Sequence, residues 1–105
     1  MVPKKPSERV STVKMMEELI PALDARLNIG AEKYGDTDWM GRPYLPLWSL
    51  IALDLKEAKA TMFKALAGTA TAAEIELAAT QILDIINRLA MIRAKMIQIQ
   101  GVFHA

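Results

Sequence analysis

Residues 71–100 read TAAEIELAATQILDIINRLAMIRAKMIQIQ, a run without proline or glycine. It opens on Thr71 and Glu74, the form of a capping box, in which hydroxyl and carboxylate each satisfy one orphan amide at a helix start. Ile75, Ala78, Ala79, Ile82, Leu83, Ile85, Ile86, Leu89, Ile92 and Met96 then recur at helical spacing on more than one face, and Gly101 marks the expected end after Gln100. A helix apolar nearly all round needs neighbours on several sides. This segment predicts an all-α fold, a bundle of three to four helices whose core is completed by oligomerisation.

Working back from it, Leu47, Leu50, Ile51, Ala58, Met62 and Leu66 predict a second helix over roughly residues 46–67, with Pro46 in its first turn and Gly68 as the residue that ends it. Trp48 falls inside its apolar stripe and is assigned to the core. Residues 35–46 have no periodicity and are rich in glycine, proline and aspartate, which predicts a loop carrying Trp39 and Tyr44. Before it, Val10, Val13, Met16, Ile20, Leu23 and Leu27 form one amphipathic stripe with Ser7 as a cap. Pro21 predicts a kink there, or two short helices. Residues 1–6 are expected to be a flexible arm and residues 7–105 a single helical domain.

Apolar residues are 52% of the 105-residue chain and aromatics 6%, so the core is expected to be aliphatic and rich in methionine. A formal charge of +1 provides no field to attract nucleic acid or an anionic membrane surface. The most apolar stretch, residues 75–99, is interrupted by Gln81, Asp84, Asn87, Arg88, Arg93 and Lys95, a load that makes membrane insertion costly. The absence of cysteine excludes disulfides, thiolate metal sites and cysteine nucleophiles, and fits a cytoplasmic setting. A monomer of this size leaves part of the third helix wet, which predicts a homo-oligomer, dimer or tetramer.

Serine-nucleophile chemistry is not expected, because the one histidine, His104, lies beside the C-terminal residue and no nucleophile-elbow turn is present. Phosphate-binding and dinucleotide-binding glycine loops are also missing. What remains is a pair of polar spots: Asp54 and Glu57 three apart on the second helix, Gln81 and Asp84 three apart on the third. Two such faces can converge on a hard cation, Mg²⁺ or Mn²⁺, which takes oxygen ligands from a few carboxylates, waters and phosphates. The competing reading is ordinary helix electrostatics, with Asp84 paired to Arg88 one turn on and Glu57 solvated beside Lys56 and Lys59.

Asp54-Leu-Lys-Glu57, a glycine-containing connection, and Gln81-Ile-Leu-Asp84-Ile-Ile-Asn87-Arg88-Leu together resemble the MazG-like all-α nucleoside triphosphate pyrophosphohydrolases. Lys33-Tyr34-Gly35-Asp36 with Trp39 and Gly41 is similar to a segment of the phage-associated members. The resemblance spans about residues 26–92. Asp54 stands where the family usually has glutamate, and Gln81 where it has an acidic ligand.

The resemblance implies Mg²⁺-dependent cleavage of a nucleoside triphosphate between its α and β phosphates. It implies Asp54, Glu57 and Asp84 as metal ligands, with Glu57 and Asp84 at the centre of catalysis. Gln81 becomes a weak ligand or a donor beside the metal, and Asn87 a substrate partner. Lys33, Lys56 and Arg88 are expected on phosphate, and Tyr34 and Trp39 on the base. For Trp39 the alternative is a plug at the end of the bundle. Two other functions stay open: a nucleotide-binding protein without turnover, suggested by Gln81, and an interaction protein whose helical oligomer is the function.

Overall fold

The computed structural model describes residues 9–35, 38–41 and 43–104. The expected arm, residues 1–6, and the expected cap, Ser7, lie outside the described residues. Those described are all-α: α1 (Val10–Tyr34), a 3₁₀ turn (Asp38–Gly41), α2 (Tyr44–Leu66) and α3 (Ala72–His104), with no strand among them.

The α2–α3 hairpin is built from local signals on both sides of its turn. Gly68 adopts a positive φ of 75°, which lets the Thr69 amide donate to the Lys64 carbonyl at 2.9 Å and the Gly68 amide to the Ala65 carbonyl at 3.0 Å. That is a Schellman ending, and only glycine reaches it without a Cβ penalty. Three residues on, the capping box closes as expected: the Thr71 amide donates to Glu74 at 3.0 Å and the Glu74 amide to the Thr71 hydroxyl at 3.1 Å.

The Lys64 ammonium reaches across the turn to the same Glu74 carboxylate. Lys64 first, then the Thr71 amide and hydroxyl, hold the Glu74 pKa at about 2, below its ordinary 4.5. Since the folded value is the lower one, this contribution is complete above pH about 4.5 and is lost as pH falls towards 2. Acid melts of Glu74→Gln should therefore be flatter than those of the wild type across that interval. A Glu74 carboxyl titrating at its ordinary value by NMR would contradict the assignment.

At two expected interruptions the helices continue. α1 passes through Pro21 as one helix, not two short ones. The missing N–H frees the carbonyl of Glu17, which lies on an exposed part of α1 where water can serve it. Likewise α3 runs through Gly101 to His104 instead of stopping at Gln100, a glycine being a cost of about 1 kcal/mol inside a helix but not a barrier.

The core lies along the α2–α3 seam. Leu47, Ile51, Ile85 and Ile92 form its cluster, with Ala58 and Ala78 letting the helices approach. Among the described residues no methionine is buried, and the core there is leucine, isoleucine and alanine, contrary to the methionine-rich expectation. Trp48 is corrected too: it is 48% exposed, and its neighbour Leu47 takes the core position.

α1 buries no residue completely and leans on α3 through polar contacts. The Asn87 amide donates to the Leu23 carbonyl at 3.1 Å, and Lys95, buried on α3, donates to the Met40 carbonyl at 3.0 Å to hold the 3₁₀ turn. The chain is open for its size, with a radius of gyration of 16.9 Å against about 13 Å for a compact domain of this length. No described helix is long and apolar enough to cross a membrane.

Candidate functional site

α1, the 3₁₀ turn and α3 enclose a cleft of about 390 Å³. α1 contributes Arg26, Leu27, Lys33 and Tyr34, the turn contributes Trp39, and α3 contributes Asp84, Asn87, Arg88 and Met91, with Leu47 of α2 at the base. Six residues singled out in the sequence thus meet in one cavity: Lys33, Tyr34, Trp39, Asp84, Asn87 and Arg88. Helical spacing brings the α3 set together, since positions 84, 87, 88 and 91 share one face. The Lys33 ammonium lies 5.1 Å from the centre of the Tyr34 ring, a cation–π distance. Trp39 is half-buried at the cavity wall, between the stacking role and the plug role expected for it.

Arg26 is the member that sequence reasoning missed. Its Nε and Nη2 each donate to one Asp84 oxygen at 2.9 Å, a bidentate pair with side-chain exposures of 34% and 23%. The hydrogen bonds it donates to Asp84, offset in part by burial, raise the Arg26 pKa above its ordinary value, so the guanidinium is charged at every relevant pH. One signal was available: Arg26 borders the α1 stripe beside Leu27, where a cation next to an apolar face needs a carboxylate from the helix it packs on. The expected Asp84–Arg88 pair within α3 is not the one formed. Arg88 instead reaches Asp54 of α2 through Nη1, with side-chain exposures of 24% and 18%.

Asp54, Glu57, Lys56 and Gln81 lie apart from the cleft lining. Gln81 Nε2 donates to Glu57 Oε2 at 2.6 Å, so the two i, i+3 pairs do face each other across the α2–α3 seam. Lys56 is exposed on α2. The three proposed metal ligands therefore engage three different partners: Asp54 with Arg88, Glu57 with Gln81, Asp84 with Arg26. Among the described residues no three histidine, cysteine, aspartate or glutamate side chains gather closely enough to hold a metal ion. In this arrangement Asp54 and Asp84 have their charge met by guanidinium groups, while Glu57 meets only the neutral amide of Gln81.

The cleft thus carries three cations, two aromatic rings and one carboxylate on a wall that is otherwise largely apolar, and it is suited to an anion that also carries a flat ring. Comparisons of the chain with protein-family models, with curated proteins and with solved structures find no match.

Proposed function

We propose that the chain binds a nucleoside triphosphate in the cleft between α1 and α3. The observation that carries this reading is the meeting of Arg26, Lys33 and Arg88 with Tyr34 and Trp39 around one cavity. Its volume is within the usual span for small-ligand pockets, about 300 to 1,000 Å³. Guanidinium groups suit phosphate because their planar forks present paired donors. Tyr34 and Trp39 offer stacking surface, and the Asn87 side chain, already fixed on Leu23, contributes a polar edge.

Calorimetric titration of the common nucleoside and deoxynucleoside triphosphates tests it. Lys33→Ala should weaken binding about tenfold, the loss expected for one charge-assisted contact. Absence of heat with every nucleotide, in the presence and absence of Mg²⁺, would end this reading.

A second reading is Mg²⁺- or Mn²⁺-dependent pyrophosphohydrolysis, with the acidic side chains of the α2–α3 seam beside the cleft. It is favoured by the motif resemblance and by the way the two i, i+3 pairs are linked through Glu57 and Gln81. A nucleotide-conversion screen with Mg²⁺ and with EDTA separates turnover from binding alone. The absence of cysteine fits a cytoplasmic setting for either.

We further propose that the chain works as a homo-oligomer. Large apolar side chains remain exposed along both hairpin helices: Trp48, Leu55 and Met62 on α2, and Ile75, Ile82, Leu89 and Met96 on α3. Each row has a strict seven-residue spacing, the repeat that keeps one face of a helix directed at a partner. Spacing also places both rows on the edge of the α2–α3 seam opposite the Asp54–Arg88 and Glu57–Gln81 contacts, and so away from the cleft.

A further inference from the structure

Resting on the nucleotide-binding reading, we infer that Arg26 and Arg88 are exchangeable counterions: the cleft takes up a polyphosphate without a divalent cation, and the incoming anion displaces Asp84 and Asp54 from the guanidiniums. Both arginines line the cleft, and both are tied to carboxylates, Arg26 to Asp84 at 2.9 Å through two donors and Arg88 to Asp54 through one. Neither pair is sealed, since all four side chains keep between 18% and 34% of their surface open. Two oxygens of one phosphate group present the same bidentate acceptor geometry as a carboxylate, so the group competes for the same donors with more charge. Asp54 does not line the cleft, so it acts on the anion only through its hold on Arg88.

Competition has a sign that metal coordination does not share. If the aspartates hold the arginines back, removing their charge releases a guanidinium to the ligand and affinity rises. If the aspartates bind phosphate through a cation, removing their charge lowers affinity.

The probe is sodium tripolyphosphate, titrated calorimetrically in EDTA and again with Mg²⁺, into the wild type, Asp54→Asn and Asp84→Asn. The expected result is binding in EDTA that tightens about three- to tenfold in Asp54→Asn. Asp84→Asn should tighten similarly where it stays folded, and Asp54→Asn keeps the test decisive where it does not. Binding that needs Mg²⁺ and weakens in Asp54→Asn would overturn the inference while leaving the nucleotide site in place. Mn²⁺ alone, followed by the EPR signal of the free ion, should be unaffected by the wild-type protein; uptake of Mn²⁺ by the ligand-free chain would overturn it as well. If tripolyphosphate fails to bind with or without Mg²⁺ while nucleotides do bind, the exchange idea falls alone. If nucleotides also fail, the site reading falls with it.

Discussion

Sedimentation of the chain at micromolar concentration is expected to show dimers or larger species and no folded 11.6 kDa monomer. The seven side chains of the two exposed rows are between 41% and 60% exposed. Full burial of one such side chain contributes about 1.5 to 3 kcal/mol, so completing burial of half-covered ones adds on the order of 1 kcal/mol each. For a symmetric pair that reaches on the order of 14 kcal/mol, near the upper end of the roughly 4 to 15 kcal/mol that association costs. The open shape of the single chain points the same way, because a radius of gyration of 16.9 Å leaves few side chains covered. Leu55→Lys with Leu89→Lys puts a charge at the middle of each row and should dissociate the assembly. Because a dissociated chain of this kind is at risk of unfolding, the melting temperature of the wild type provides a second reading: it should rise with protein concentration. A folded wild-type monomer with a concentration-independent melt would refute the interface.

How much of this was legible beforehand depends on how local the cause is. The α2–α3 turn was readable because Gly68, Thr71 and Glu74 act on backbone groups within a few residues of themselves. The all-round apolar character of α3 was readable for the same reason, being a property of one segment. Trp48 was misplaced because periodicity does not say which half of a broad apolar arc faces the partner helix, and α3 meets α2 on the Leu47, Ile51, Ala58 side. At Pro21 the spacing alone does not decide between a kinked helix and two short ones, because a proline's cost in a helix depends on whether water can reach the carbonyl it abandons, which is a tertiary fact.

The site divides in the same way. Lys33, Tyr34, Trp39, Asn87 and Arg88, grouped by the family resemblance, line one cleft, whereas Lys56 and Gln81 of the same group do not. The partners of the carboxylates were not anticipated. Arg26 and Asp84 are 58 positions apart, and nothing in the spacing of either helix registers the angle at which α1 crosses α3. For Arg88 the sequence offers an acidic partner one turn back on its own helix, because i, i+4 contacts can be read from one helix alone. The helices' actual packing gave it Asp54 instead.

That repairing of partners reverses an expected sign. Three converging carboxylates would repel one another, and Asp84→Asn would then leave the fold intact or slightly firmer until a cation was supplied. With Asp84 accepting two hydrogen bonds from Arg26, the same substitution should destabilise the protein. It leaves a guanidinium that is two-thirds covered without its counter-charge, and Asn offers one acceptor where the carboxylate offered two. Hydrogen bonds to charged groups contribute about 1.5 to 3 kcal/mol when covered and exposed ion pairs about 0 to 1, so this half-covered pair should be worth about 1 to 2 kcal/mol. In a domain of this size that corresponds to a fall in melting temperature of roughly 5 to 15 °C. Arg26→Gln alone should lose a similar amount, and the double variant Arg26→Gln with Asp84→Asn should lose much less than the two singles together, because each single leaves a stranded partner and the double leaves none. Tripolyphosphate should restore part of the lost melting temperature in Asp84→Asn by replacing the missing negative charge, and should do nothing of the kind for Arg26→Gln. Additive losses in the cycle, or a melting temperature in Asp84→Asn equal to or above that of the wild type, would show that Asp84 is not held by Arg26 and would return the carboxylates to the role of cation ligands.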